Sequence, residues 1–132
     1  MPRNNLWLNG QVYSDEDGAY LEQVAPAADT TTAFTFAAAT MAKTKLQTCS
    51  NTSAVTATLP TGAVLDAYFG DLPNNASFDW SLINLGSSSG AATVTAATGH
   101  TIVGAAVVAI ATTGVFRTRK VSDGVFVTYR IG

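Results

Sequence analysis

Residues 77–132 alternate short runs rich in Val, Ile, Thr and aromatic residues with Gly, Ser and Asp. Such an alternation is typical of consecutive strands joined by tight turns, and this stretch lacks the apolar period of a helix. The runs predict strands at 78–85, 92–97, 101–103, 107–111, 115–121 and 125–131. A chain with this C-terminal half is therefore restricted to folds built mainly from sheets.

The Asp123-Gly124 pair gives the most specific prediction of strand pairing. Both central residues of a type I′ turn need positive φ, and this dipeptide is one of the few that accept it. A two-residue turn here would place Ser122 opposite Val125. The apolar positions of both strands would then share one face, which we expect to point into the protein.

The opposite face of this hairpin would be basic. The same register places Arg117 opposite Arg130, with Arg119 two residues along the first strand. Like charges that face each other across a strand pair repel. An anion beside them would relieve the repulsion, and a carboxylate of another subunit, a nucleic-acid phosphate or salt ions could supply it. We hypothesise that this anion is a carboxylate of an adjacent subunit. These three arginines are therefore candidate interface residues.

The middle of the chain continues the pattern of short strands. Residues 30–39 and 54–59 predict strands, residues 63–69 predict a helix of one or two turns, and residues 41–46 are ambiguous. Eight or nine short strands at regular spacing favour an all-β antiparallel sandwich, a jelly roll or a small barrel, and of these we expect a sandwich that resembles a jelly roll. We expect a single domain over residues 30–132.

Residues 1–29 differ in composition and predict an extended N-terminal arm. Leu6, Trp7 and Leu8 form its most apolar point and predict a short strand. An arm exposed to water should be poor in such residues. The arm should therefore lie against its own domain or against a neighbour. Of these, we expect the three residues to contact another subunit or a partner surface.

The charges of the chain are few and segregated. Only 12% of residues are charged and the net charge is −2, so the chain as a whole has no field that attracts nucleic acid. Acidic residues concentrate in the first 30 positions and basic ones in the last 16, an asymmetry that can join the beginning of one chain to the end of another. A low fraction of charged residues favours a surface that contacts other subunits. A β domain that uses Thr where others use Lys and Glu would have the same composition.

Secretion, membranes and cofactors are not indicated. The single cysteine, Cys49, excludes an intrachain disulfide, and the N-terminus has no apolar signal region after Arg3. No apolar run approaches the ~18 residues that cross a bilayer. We expect no cofactor and no membrane partner.

The residues that could carry catalysis are sparse. His100 is the only histidine, and it follows Gly99 in a predicted turn, where bonding to the backbone is the expected role. One histidine without a cysteine pair cannot form a typical zinc site. A Cys49–His100 pair lacks the local signature of a nucleophile and base. Asp66, Asp71 and Asp79 could supply two carboxylates, but bonding in a helix, a turn and a strand edge explains them. We therefore expect no enzyme.

Four segments resemble small structural proteins of tailed bacteriophages. They are LPTGAVLDAYF (59–69), FDWSLINLG (78–86), TVTAATGHTIVG (93–104) and TTGVFRTRKVSDGVFVTYRIG (112–132). The resemblance implies a virion component on the capsid surface, a decoration (cement) protein that acts as a homotrimer on the major capsid protein. It does not extend to the arm.

A tail-fibre or baseplate module that binds cell-surface carbohydrate is the alternative. Trp7 and Trp80 could stack on sugar rings, although tryptophans are more often buried in cores.

Overall fold

The computed structural model describes residues 5–8, 11–14 and 22–132. The first two ranges form strands β1 (Asn5–Leu8) and β2 (Gln11–Ser14), which pair antiparallel with each other. The strand expected at Leu6–Leu8 is thus part of β1. Other expectations for residues 1–21 concern side chains and lie outside the described residues.

Ten further strands and one α-helix follow. The strands, in chain order, are β3 (Ala27–Asp29), β4 (Ala33–Thr35), β5 (Leu46–Cys49), β6 (Val55–Thr58), β7 (Ser77–Asn84), β8 (Ala92–Thr95), β9 (His100–Val103), β10 (Val107–Val108), β11 (Thr113–Ser122) and β12 (Val125–Arg130). The helix α1 (Gly62–Phe69) lies between β6 and β7. A short π-helical turn, Thr40–Thr44, fills most of the segment that was ambiguous in sequence.

These ten strands form two sheets. One sheet has the order β3-β5-β7-β11-β12-β9, and the other has the order β10-β8-β6-β4. From β3 to β11 the chain alternates between the two sheets, so that β3, β5 and β7 are successive neighbours in one sheet and β4, β6, β8 and β10 in the other. Each connection between the parallel neighbours of these two runs includes a strand of the facing sheet, where α/β proteins use a helix.

The predicted all-β sandwich is confirmed, but its pairing is mixed. Five neighbouring pairs are parallel: β3–β5, β5–β7, β4–β6, β6–β8 and β9–β12. The expectation of an antiparallel sandwich is therefore wrong in this respect, and the pairing departs from a jelly roll, whose strands are antiparallel. β3, which the sequence assigned to the arm, pairs with β5 and belongs to the six-stranded sheet.

The last hairpin turns where expected, but its turn type and register differ from the prediction. Gly124 has a positive φ of 71° and Asp123 does not, so the predicted type I′ turn is wrong, and the register is shifted by one residue. Ser122 lies opposite Val125, as predicted; beyond them a β-bulge between Lys120 and Ser122 leaves Val121 without a partner, so Lys120 faces Phe126 and Arg117 faces Tyr129. A bulge adds one residue to one strand and so moves the rest of the pairing. The prediction that Arg117 faces Arg130 is therefore wrong.

Helix α1 confirms the predicted helix to within one residue. Thr61 precedes it, and its side-chain oxygen accepts a hydrogen bond from the Val64 backbone N–H at 3.2 Å. Such a cap satisfies one of the N–H groups that a helix start leaves unpaired. Leu65 is buried in the core, and Phe69, at the end of the helix, packs against it.

Aromatic side chains form the centre of the core between the sheets. The rings of Trp80 and Phe116, on neighbouring strands β7 and β11, stack with centroids 4.6 Å apart, and Phe36 lies 4.9 Å from Trp80. All three residues are buried. Offset and tilted ring pairs add stability beyond the area that they bury. This packing fixes the six-stranded sheet, whose other side carries the candidate site.

Candidate functional site

One side of the six-stranded sheet covers the core, and the other faces outward; we call the latter the outer face. Along β7 and β11 the buried residues alternate with exposed or half-buried ones, which follows from the two-residue period of a strand. The outer face includes the side chains Leu46, Thr48, Ser77, Asp79, Ser81, Ile83, Thr101, Val103, Thr113, Val115, Arg117, Arg119, Val127 and Tyr129.

Arg117 forms a bidentate ion pair with Asp79 at the centre of the outer face. The two residues are direct cross-strand partners, and Arg117 Nε and Nη2 donate to the two Asp79 carboxylate oxygens at 2.6 and 3.0 Å. Both side chains are about half exposed (51% and 48%). The hydrogen bond from Arg117 lowers the pKa of Asp79. The carboxylate beside Arg117 is thus one of its own chain.

Arg119 lies on the same face and bonds to neutral partners. Its Nε donates to the Tyr129 hydroxyl at 3.1 Å, and its Nη1 donates to Asn75 Oδ1 at 2.8 Å. The guanidinium carbon lies 5.9 Å from the centre of the Tyr129 ring, within the range of a cation–π contact. Arg119 therefore keeps its positive charge uncompensated by an acid in these contacts.

Arg130 lies on the inward-facing side of the hairpin, because it is the cross-strand partner of buried Phe116. Its guanidinium lies 5.3 Å from the centre of the Phe116 ring. It donates to the backbone carbonyls of Ala105 and Val107, at 3.2 and 3.0 Å, and to that of Gly132. The prediction that all three arginines share one face is thus wrong, and Arg130 instead ties the C-terminus to the connection before β10.

A cleft opens beside the ion pair. Lys45, Ser77, Phe78, Asp79 and Arg117 line a cavity of about 280 Å³. The ammonium of Lys45 lies 5.4 Å from the centre of the Phe78 ring, and partial burial lowers its pKa. With two cations and one carboxylate, the cleft has a net charge of +1, which suits an anionic group.

A second cleft, lined by acidic residues, lies at the end of α1. The Lys120 ammonium, on a side chain that is 3% exposed, contacts Asp66 Oδ1 at 2.7 Å and Asp123 Oδ1 at 3.1 Å, and donates to the Leu72 carbonyl at 2.8 Å. Asp66 Oδ2 accepts from the Gly124 backbone N–H at 2.5 Å. The hydrogen bond with Asp66 raises the pKa of Lys120. These contacts hold the last turn against α1, a structural role that the sequence did not reveal.

Four buried side chains form a continuous hydrogen-bonded chain under the outer face. Trp80 Nε1 lies 2.9 Å from Thr118 Oγ1, which lies 2.7 Å from Thr128 Oγ1. Thr128 Oγ1 lies 2.6 Å from His100 Nε2, and His100 Nδ1 lies 2.8 Å from the Pro60 carbonyl. A carbonyl only accepts, so Nδ1 of His100 carries a proton. Burial lowers the pKa of His100 and favours the neutral imidazole, whose Nε2 then accepts from Thr128, while Thr128 accepts from Thr118 and Thr118 accepts from Trp80.

Protonating His100 would turn Nε2 into a donor to Thr128 and reverse the Thr118–Thr128 hydrogen bond. The Thr118 hydroxyl would then accept from both Trp80 and Thr128 and have no acceptor within the chain of hydrogen bonds. Burial lowers the pKa of His100 below its ordinary 6.5. Between the two pKa values the unfolded chain binds more protons than the folded one, so stability rises with pH. We expect the free energy of unfolding to keep its highest value above about pH 6.5. As the pH falls below about 6.5, it should decrease by up to about 1.4 kcal/mol per pH unit.

Urea unfolding from pH 7.5 to 5 measures this slope. In His100→Gln the slope should disappear over this range, since the chain has no other histidine. The pKa values of Asp66 and Asp79 are lowered, so these two carboxylates also stabilise the folded protein. That contribution is lost only below about pH 4, where the carboxylates become protonated. An equal slope in both proteins would contradict the assignment of the neutral imidazole.

The structure separates Cys49 from His100 and Asp79 from the other two candidate carboxylates. Cys49 is buried and burial raises the pKa of its thiol, while His100 lies four strands away, roughly 19 Å across the sheet. Asp66 and Asp71 line the same cleft, where Asp66 is paired with Lys120, and Asp79 lines the other cleft. Among residues 22–132 no group of three or more histidine, cysteine or carboxylate side chains is placed to hold a metal ion.

Trp80 is buried and pairs with Thr118, so it offers no surface to a sugar. The side chains of Leu6, Trp7 and Leu8 lie outside the described residues. In the part of the chain that the structure describes, no helix is long and apolar enough to cross a membrane.

Comparison of the chain with protein-family models, with curated proteins and with solved structures finds no match.

Proposed function

We propose that this chain is a non-enzymatic structural protein of a bacteriophage virion, a decoration protein that binds the capsid shell as a homotrimer and stabilises it. The observation that carries the proposal is the outer face, a sheet surface that mixes apolar and arginine side chains. Val103 is 52% exposed, and Val127 and Tyr129 are half-buried beside Arg119. Interfaces are enriched in aromatic residues and arginine and depleted in lysine and glutamate.

The composition and the sequence resemblance support the same function. With 12% charged residues the chain has fewer charges than a lone domain of this size usually carries on its surface. Burying the outer face and the apolar arm residues Leu6, Trp7 and Leu8 against other subunits or the major capsid protein accounts for this deficit. Nucleic acid and membranes have no part in this function.

A protein of this kind stabilises a shell by binding its assembled form in preference to its separated subunits. The fold suits that task, because the outer face is held by the stacked core of Trp80 and Phe116. A rigid surface loses little conformational entropy when it binds. The adhesion alternative loses one of its two candidate sugar platforms, because Trp80 is buried.

Imaging of intact particles tests the proposal. The chain, carrying a small C-terminal tag, should appear in many copies over the whole shell. Replacing both Leu6 and Trp7 by Ser should lower its occupancy on shells, while the exposed loop substitution Ser87→Ala should leave occupancy unchanged. A signal confined to a few copies at the tail would contradict decoration and favour the adhesion module.

A further inference from the structure

We infer that the cleft beside the Arg117–Asp79 ion pair is a binding site for a carboxylate, which the Lys45 ammonium and the unused donors of Arg117 hold between them. The carboxylate belongs either to a small organic acid or to an aspartate or glutamate side chain of a partner protein. The inference goes beyond the proposed function, since a site of this kind can be measured on the chain alone.

The Arg117 guanidinium has donors left over from its ion pair. Its Nε and Nη2 donate to the two carboxylate oxygens of Asp79. A guanidinium has five N–H groups, so both N–H groups of Nη1 and one of Nη2 are left. The Arg117 side chain is 51% exposed and lines the cleft, so an incoming oxygen atom can reach these donors.

The Lys45 ammonium has no strong partner among the described residues. Both carboxylate oxygens of Asp79 are taken by Arg117, and Lys45 Nζ reaches the backbone carbonyl of Asp79 at 3.4 Å, a long distance for a hydrogen bond. Partial burial lowers the pKa of Lys45 more than the charge of Asp79 raises it. The ammonium has thus lost water without gaining an equivalent partner, which a bound carboxylate would supply.

The backbone of Lys45 gives an independent indication of function. Lys45 ends the π-helical turn in the left-handed conformation, with φ 67°, where glycine is the residue with least strain. Its N–H donates to the Thr40 carbonyl at 2.6 Å, and its carbonyl accepts from the Ser81 N–H at 2.9 Å. Strained residues that their surroundings hold in place concentrate at ligand sites. A lysine at this position therefore indicates a use for its side chain in the cleft.

The charge and size of the cleft favour a carboxylate over other anions. Lys45, Arg117 and Asp79 together give a net charge of +1, which one carboxylate neutralises. The fixed charge of Asp79 would repel a doubly charged phosphate more strongly. The volume of about 280 Å³ suits a small ligand or a single side chain. The hydroxyl of exposed Ser77, on the cleft wall, can donate to the second carboxylate oxygen.

Titration of the full-length chain with sodium acetate tests the site, with sodium chloride at equal ionic strength as the reference. We expect the backbone amide NMR signals of Ser77 and Asp79 to shift and to saturate with acetate. Lys45→Met should weaken acetate binding by roughly tenfold. Lys43→Met removes an equal charge from an exposed position two residues away and should leave the affinity unchanged. Asp79→Asn releases the guanidinium for a bidentate contact and should bind acetate at least about threefold more tightly.

Two further measurements separate folding from binding and identify the source of the carboxylate. Lys45→Gly relieves the left-handed backbone and removes the ammonium, so it should fold and bind acetate as weakly as Lys45→Met. The peptide acetyl-Gly-Asp-Gly-amide presents a side-chain carboxylate between neutral ends. Binding of this peptide more tightly than acetate assigns the site to a partner protein, and equal or weaker binding assigns it to a small organic acid.

Acetate shifts that do not saturate would overturn the inference, and so would equal acetate affinity in the wild type and Lys45→Met. Tighter binding of phosphate than of acetate at pH 7.5 would overturn the choice of a carboxylate. Particle imaging of the same proteins is read separately. A chain that decorates shells but does not bind acetate overturns this inference alone, whereas one that binds acetate but not shells overturns only the proposed function.

Discussion

Gly62→Ala should destabilise the protein by about 3 kcal/mol or more, measured by urea unfolding. A Cβ on Gly62 would lie 2.0 Å from the Gly124 carbonyl oxygen and 2.6 Å from that of Gly99. Both contacts are with backbone, and the Gly99 carbonyl is held by the Phe126 N–H at 2.8 Å. The start of α1 and the two turns would have to separate.

The neighbouring position gives the matched control. In an ordinary helix, Ala in place of Gly raises stability by up to about 1 kcal/mol, so the expected loss at Gly62 has the opposite sign to helix propensity. Ala63→Gly, at an exposed position of the same helical turn, should cost no more than about 1 kcal/mol. A Gly62→Ala protein as stable as the wild type would show that the turns do not approach α1 so closely.

Asn84→Ala should lower the free energy of unfolding by a similar amount, about 3 kcal/mol. The buried Asn84 amide donates to the carbonyls of Gly90 and Val108, at 2.9 and 3.1 Å, and accepts from the Gly86 N–H at 2.9 Å. Alanine would leave three backbone groups without these partners. Asn74→Ala, in an exposed loop, should change the free energy of unfolding by less than about 0.5 kcal/mol.

Asn84→Asp distinguishes the loss of hydrogen bonds from the loss of volume. An ionised carboxylate would face two carbonyl oxygens, so this variant should be less stable than Asn84→Ala at neutral pH. Acidification protonates the carboxyl group and restores one donor, so its stability relative to Asn84→Ala should rise as the pH falls. A pH-independent difference between the two variants would contradict the role given to the amide donors.

The sequence predicted the elements better than their pairing. The alternation of apolar residues located β7, β11 and β12 to within two residues at each end, and the run of residues 63–69 located α1 to within one residue. β5 was missed, because Leu46–Cys49 is four residues long and its composition is polar. The strand expected over 30–39 shrinks to β4, since the chain turns into a helical segment soon after Phe36.

The parallel pairs could not be inferred for a physical reason. Parallel strands covered on both sides appear as continuous apolar runs, whereas β6 and β8 have one buried side and alternate like antiparallel strands. The bulge at Val121 was equally hidden, because Val is an ordinary strand residue. That one residue decided where Arg130 lies and how many arginines the outer face has.

The order of the six-stranded sheet has a consequence for the newly synthesised chain. β9 is an edge strand whose ladder partner is β12, and β12 lies between β9 and β11. During synthesis β9 therefore emerges before the strand that holds it in place. The side of the sheet that carries Tyr129 and Val103 is completed only after residues 125–130 leave the ribosome, so a chain that stops before Val125 would lack β12 and leave β9 without its ladder partner.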